Sequence, residues 1–530
     1  MAEPRSAPHA GLIGPAAMMV GARLASMVMG IVTIPFLIHY LGSTGFAGWA
    51  LLLALGAGFT LLDLGTSHVV VRYLAEPAAG GNWDQARSTL GGVWILLALS
   101  YGVGLVALLW TAGPLAAWLR LPDSVLFSPS QAVCLVFVAV MLRTFLETVT
   151  RTLYAARRFS AVASIALLQP FLANLAAIVM AWGSRRLDLT LLAYWSVQLG
   201  VLGVTFIASR SLCLPRFDAG AFRVPLMREM CAYGLQSQVD QWAQFINFQF
   251  DKFIIAGLVG LWAVAPYEVA NRCVLALRSV PASGVETMLP GAVIECANPD
   301  DAWRWYQAST RLTVYAVCVF MLAPLAIAPV FLYAWTGELG YVGRWVFLAL
   351  IAGAIAGMLA LPAAILAKAS GRADLPATSA AVSILLNVPL SLALVLKWGL
   401  AGAAVGTGVA LVLSAARLVR SVHAHFGWRV SAGLRVVGSL WPPVLLCICF
   451  GALTYWAFDA WFASVEPGVR FARATRIGPG LAALLLYALC LGSMLFIELG
   501  RGAFTPSERG WLMRALPFKW VARFAARHGD

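Results

Sequence analysis

Charge is what this sequence has little of. Only 11% of its 530 residues are Asp, Glu, Lys or Arg, under half of the roughly 25% usual in soluble domains. Polar stretches long enough to hold a soluble domain are also missing; the longest are 210–230, 292–310 and the tail from Arg501 to Asp530. No G-x-x-x-x-G-K-[ST] phosphate loop occurs, so ATP hydrolysis by that device is excluded. No H-E-x-x-H occurs, and no outer loop has the size or acidic cluster that a glycan-transferring membrane enzyme needs. The nine cysteines are scattered, and Cys447-x-Cys449 has no second pair to complete a zinc site. These absences leave no place for a cofactor or for bond-making chemistry, and they point to a carrier.

What the chain has in abundance is apolar length: 61% apolar residues and a mean hydropathy of +0.83. A bilayer crossing takes about 20 apolar residues. Reading runs against that length gives fourteen spans, at 12–38, 46–71, 90–111, 130–153, 162–182, 189–209, 231–257, 262–290, 311–335, 345–367, 377–396, 400–420, 440–462 and 477–498. The fold class expected is an all-α polytopic membrane protein. The first run has only Arg5 ahead of it and outlasts the roughly 7–15 residues of a signal core, so it reads as an uncleaved span.

Placing the N-terminus in the cytoplasm puts 24 Lys and Arg residues in inner loops and eight in outer ones. Three to one satisfies the positive-inside rule, with Arg185, Arg186 and the last outer loop running against it. Both termini are therefore expected on the cytoplasmic side. The net charge of +14 is accounted for by inner loops facing anionic lipid, not by nucleic acid.

The segment 36–49 recurs loosely at 253–267: an aromatic-apolar helix end, a Gly turn, small residues and an aromatic restart. Repeated units of this kind build transporters from pseudo-symmetric halves. The expected organisation is a first six-helix lobe over 1–210 and a cytoplasmic linker over 211–229. A second six-helix lobe follows over 230–420, then two extra helices over 421–499. The last segment is a basic amphipathic tail over 500–530, in which Trp511, Leu516 and Trp520 alternate with Arg509, Arg514 and Lys519.

Several spans carry polar side chains that lipid would not tolerate. At 100° per residue Gln236, Asp240, Gln244, Asn247 and Asp251 fall on one arc of helix seven. Helix eight places Glu268, Arg272, Ser279, Ser283 and Glu286 on another, provided it stays helical through Pro281. Asp63 marks helix two, and Arg143, Glu147 and Arg151 stack at intervals of four on helix four. An ionised group at a span's centre costs roughly 2.5–3.5 kcal/mol even on the permissive insertion scale. Arg23, Arg143, Lys252, Arg272 and Arg278 must therefore be paired, snorkel, or line a wet cavity. Lining residues expected on this basis are Asp63, Arg143, Gln236, Asp240, Gln244, Asn247, Asp251, Lys252, Glu268 and Arg278. Arg23 and Arg272, deep in helices one and eight, have the planar fork that suits a phosphate or pyrophosphate.

Pro35-Phe-Leu-Ile-His-Tyr-Leu-Gly42, Leu61-Leu-Asp-Leu-Gly65, Val71-Arg-Tyr73, Phe250-Asp-Lys-Phe253 and Tyr267-Glu-Val-Ala-Asn-Arg272 carry a resemblance. Together they resemble the lipid-linked oligosaccharide (O-antigen type) flippases, polysaccharide transporters in the superfamily of the multidrug and toxin extrusion antiporters and the lipid II flippase. The resemblance spans residues 12–420. It implies two MATE-like lobes, alternating access, and transfer of undecaprenyl-pyrophosphate-linked glycans between leaflets of a bacterial cytoplasmic membrane. The partners it implies are that lipid-linked glycan, membrane lipids, and a polymerase or glycosyltransferases of the same pathway. Tyr267, Arg272 and Leu289-Pro290 look like the helix-eight frame of the lipid II flippase, and Arg23 matches its helix-one arginine. Leu24 stands where that branch has an acid, and Pro281 falls a turn late, which favours the broader polysaccharide branch. Two other classes stay open: a cation-coupled antiporter using Asp63, Asp240 or Asp251, and a membrane enzyme acting on the same lipid carrier.

Overall fold

The computed structural model describes residues 13–218, 223–286, 288, 292–293, 298–429, 431, 433, 438, 441–466 and 473–500. Among them there is no strand, and the protein is an all-α, multi-pass membrane protein. The amphipathic tail, Leu289-Pro290 and most of the segment before residue 441 lie outside the described residues.

By packing the chain divides into two compact units, 1–276 with 377–414 and 277–376 with 415–530. The first unit begins with α1 (Ile13–Phe59), α2 (Thr66–Ala79), α3 (Trp83–Trp118), α4 (Pro129–Ala155), α5 (Phe159–Ser184), α6 (Leu187–Ala208) and α7 (Arg210–Cys213). It continues through α8 (Val224–Ser237), α9 (Val239–Phe245), α10 (Asp251–Leu258) and the first half of α11 (Val264–Glu286). Local chemistry sets the starts. Ser128 and Gln131 form a reciprocal capping box with Pro129 at the first position of α4, and Asn82 caps α3 by accepting from the Gln85 amide. α3 turns Val103, Val106, Leu109 and Trp110 outward, the lipid-facing pattern expected where the solvent is hydrocarbon.

The second unit holds α12 (Pro299–Val317), α13 (Ala323–Ala326), α14 (Ala328–Thr336), α15 (Glu338–Leu359) and α16 (Leu361–Ala369). α17 (Asp374–His425) runs from one unit into the other, and α18 (Trp441–Ser464) and α19 (Arg473–Gly500) close the second. α18, α19 and α14 border an open apolar pocket of about 570 Å³ lined by residues such as Val330, Phe450, Trp461 and Leu486. In the same unit His423 is fully buried against Tyr306, whose hydroxyl lies 3.1 Å from Nε2, with Trp303 and Trp428 packed around the pair.

Nine helices among the described residues are long and apolar enough to cross a membrane, against the fourteen spans expected; two of the nine contain a kink at which two expected spans run together. The 52 residues of α17 would reach roughly 78 Å if straight, more than twice the ~30 Å hydrocarbon core. At Gly399 the backbone leaves the helical region (φ 55°, ψ −132°), and the chain folds back on itself. A Cβ on Gly402 would sit 2.0 Å from the Leu394 carbonyl oxygen, and one on Gly406 2.6 Å from the Ser391 nitrogen. Only glycine permits that approach, so the expected spans 377–396 and 400–420 form one tight antiparallel hairpin. Gly42 (φ 73°) likewise joins two expected spans within α1. The repeat noted in the sequence aligns Gly42 with Gly260, and Gly260 also has positive φ (127°). Conversely, the expected span 231–257 is divided among α8, α9, a π-helical turn at Ile246–Phe250 and α10.

Candidate functional site

The π-helical turn organises the most polar interior of the first unit. A wide turn leaves backbone carbonyls without an i+4 donor, and in a membrane span side chains must satisfy them. Asn271 donates to the Phe248 carbonyl at 2.8 Å, and Asn387, from the first arm of the α17 hairpin, donates to that of Ile246 at 3.3 Å. Asn387 also donates to the Asn247 side-chain oxygen at 2.9 Å, and Asn247 donates to the Ser383 hydroxyl at 2.5 Å. Ser391 donates to the Asn387 oxygen at 2.7 Å, and the Thr407 hydroxyl oxygen lies 3.0 Å from it. All of these side chains are buried.

Asp251, fully buried, completes the network. Its Oδ2 accepts from the Tyr267 hydroxyl at 2.5 Å and from Thr407, while Oδ1 is buried with no hydrogen-bond donor. Among the described residues no group of three or more His, Cys, Asp or Glu side chains could hold a metal. The set around Asp251 is one carboxylate with amide and hydroxyl oxygens, a donor chemistry suited to a proton or a hard monovalent cation.

From the next residue, Lys252, runs a chain of charges. Lys252 is fully buried, donates to Gln249 at 2.6 Å and pairs with Glu268. The other oxygen of Glu268 takes the Arg272 Nε at 2.5 Å. Side-chain exposure rises along this chain, from 1% for Lys252 and 3% for Glu268 to 41% for Arg272. Arg272 is thus the open end of a buried ion triad.

The other expected residues fall elsewhere. Asp63 is buried at a break after a 3₁₀ turn (Thr60–Asp63), where it accepts from the Gly65 amide at 2.7 Å and from Gln238 at 2.6 Å. There Gly65 (φ 70°) and Gly234 approach so closely that a Cβ on either would lie 2.1–2.2 Å from the other segment's backbone oxygen. Arg143 and Arg151 flank Glu147 on α4 at 3.4 and 3.1 Å, all three about a third exposed or more. Gln244 is exposed, Asn247 is buried, and Arg278 lies half-buried in the second unit. The side chains of Arg23, Gln236 and Asp240 lie outside the described residues. Sequence reading missed Ser383, Asn387 and Ser391, although polar groups four apart in an apolar span are a visible signal, and it missed Thr407 and Gln238.

A family model described as polysaccharide biosynthesis protein matches residues 16–291. The chain belongs to that family. No curated protein matches it by sequence. Among solved structures it is similar to the lipid II flippase MurJ in an inward closed conformation: TM-score 0.62 at 13% identity, covering 84% of this chain and 98% of that one. It is also similar to an inward-facing MATE-family multidrug resistance transporter, with TM-score 0.58 at 13% identity over 79% and 99%. A Vibrio cholerae MATE transporter matches with TM-score 0.54 at 12% identity over 78% and 97%. At these identities the likeness establishes the fold, which is that of the MATE and lipid II flippase transporters.

Proposed function

We propose that the protein is a flippase that moves undecaprenyl-pyrophosphate-linked oligosaccharide units from the cytoplasmic to the periplasmic leaflet of a bacterial inner membrane. In this reading it works by alternating access between two six-helix lobes, 1–210 and 230–420, with both termini in the cytoplasm. Arg23 and Arg272 bind the pyrophosphate, and Asp63, Arg143, Gln236, Asp240, Gln244, Asn247, Asp251, Lys252, Glu268 and Arg278 line or support the path. The observation that carries the reading is Arg272: a guanidinium held half-open at the end of an otherwise buried charge cluster, in a chain of the polysaccharide biosynthesis family. A guanidinium offers two parallel charge-assisted hydrogen bonds to a phosphate, and a low-dielectric cleft strengthens them. Arg272→Ala is expected to abolish surface glycan while the protein stays in the membrane at normal level, with Lys a poor substitute. Normal glycan export by both Arg23→Ala and Arg272→Ala would remove the two arginines from the site.

A second reading has its own support. The unpaired Asp251 oxygen amid amide and hydroxyl groups is what a cation-coupled antiporter would use, and it is compatible with flipping if the same ion drives the cycle.

A further inference from the structure

Among the described residues Arg272 has one carboxylate partner, and a guanidinium paired one-to-one with a carboxylate carries no net charge to offer an anion. The triad resolves this. Glu268 is shared, one oxygen to Lys252 and the other to Arg272, so within the triad two cations share one carboxylate; Asp251 is a second anion that acts on Lys252, and no described contact joins it to Arg272. Asp251, next in sequence to Lys252, forms no ion pair with it among the described contacts. Its accepting oxygen is taken up by Tyr267 and Thr407 instead. Burial then decides where the surplus charge is felt. Lys252 and Glu268 are sealed, and Arg272 alone reaches open space. We infer that Lys252 is a positioning residue that cancels Glu268 from beneath, so that Arg272 presents a full positive charge to the anionic head of the cargo. The inference rests on the reading of Arg272 as the pyrophosphate ligand. Removing the lysine charge turns the site from a cation into a neutral pair, and removing the glutamate charge as well restores a single positive charge at Arg272.

The test uses cells lacking their own copy and complemented with the full chain at matched membrane levels. Proteoliposomes taking up a fluorescent short-chain polyprenyl-pyrophosphate saccharide give the concentration dependence. Lys252→Met should raise the half-saturating concentration at least about tenfold, the scale of one lost charge interaction at short range. Its maximal rate should stay within about threefold of wild type, a split that simple loss of structure would not produce. Lys252→Met combined with Glu268→Gln should bring the half-saturating concentration back to near wild type. If Arg272→Ala abolishes export while Lys252→Met keeps wild-type half-saturation, the inference about Lys252 fails and the pyrophosphate site stands. If Arg272→Ala exports normally, the site itself fails, and this inference with it. Should Lys252→Met not reach the membrane, the double variant decides, because it leaves neither half of the Lys252–Glu268 pair buried without the other; a high half-saturating concentration there overturns the inference.

Discussion

Replacing Gly65 by Ala separates two costs that the structure lets us weigh one at a time. Gly65 sits at φ 70°, and its Cβ would lie 2.2 Å from the Gly234 carbonyl oxygen and 2.8 Å from the Gly234 Cα. The left-handed conformation alone costs an L-residue roughly 1–2 kcal/mol. The contact adds more, because backbone cannot rotate away as a side chain can; the two segments must part by about 1 Å, an overpacking cost of roughly 1–3 kcal/mol. Parting them stretches the bonds from Gln238 to Asp63 and to the Leu61 carbonyl, now 2.6 and 3.0 Å. Each is worth about 0.6 kcal/mol by the average for membrane helices. The total is roughly 3–6 kcal/mol. Gly42 supplies the control: its φ is 73°, and nothing lies within 4 Å of where its Cβ would stand. Gly42→Ala should therefore cost only the conformational term, roughly 1–3 kcal/mol for its φ 73°, ψ 175° backbone. Denaturant unfolding of the purified protein in mixed micelles, followed by far-ultraviolet circular dichroism, measures both. Equal losses for the two variants would refute the close backbone approach between Gly65 and Gly234.

Asp251→Asn keeps the shape of the network but removes its charge, and should eliminate any dependence of transport on a cation or proton gradient while leaving membrane level unchanged. Gradient-dependent transport persisting in this variant would take Asp251 out of coupling. For orientation, single cysteines at Val125 and Phe217, both exposed, should label with a membrane-impermeant maleimide from outside and only after permeabilisation, respectively. Labelling of Phe217→Cys in intact cells would reverse the topology.

Much of this was legible because lipid simplifies the code. Apolar length marked the helices, and the limits expected for the last pair, 440–462 and 477–498, lie close to those of α18 and α19. The Gly42 and Gly260 turns were visible as a repeat before their positive φ angles were known. The helix-seven stripe was harder, since 100° per residue assumes an unbroken α-helix. The π-helical turn at 246–250 breaks that periodicity, and Asn247 and Asp251 are buried while Gln244 is exposed. No local pattern announces such a turn, because its carbonyls are satisfied by Asn271 and Asn387, 23 and 141 residues along the chain. The partner of Glu268 was similarly hidden. Arg272 was foreseeable four residues away on the same helix, whereas Lys252 arrives from α10 through tertiary packing alone.

The tight hairpin around Gly399 has a mechanical consequence. With Gly402 and Gly406 set against the backbone of the first arm, the two arms cannot slide past one another without collision. They behave as a single stiff rod. Asn387 and Ser391 on one arm and Thr407 on the other are the groups that meet Asp251 and the π-helical turn. A particle that draws any one of them by a few tenths of an ångström therefore displaces both arms together.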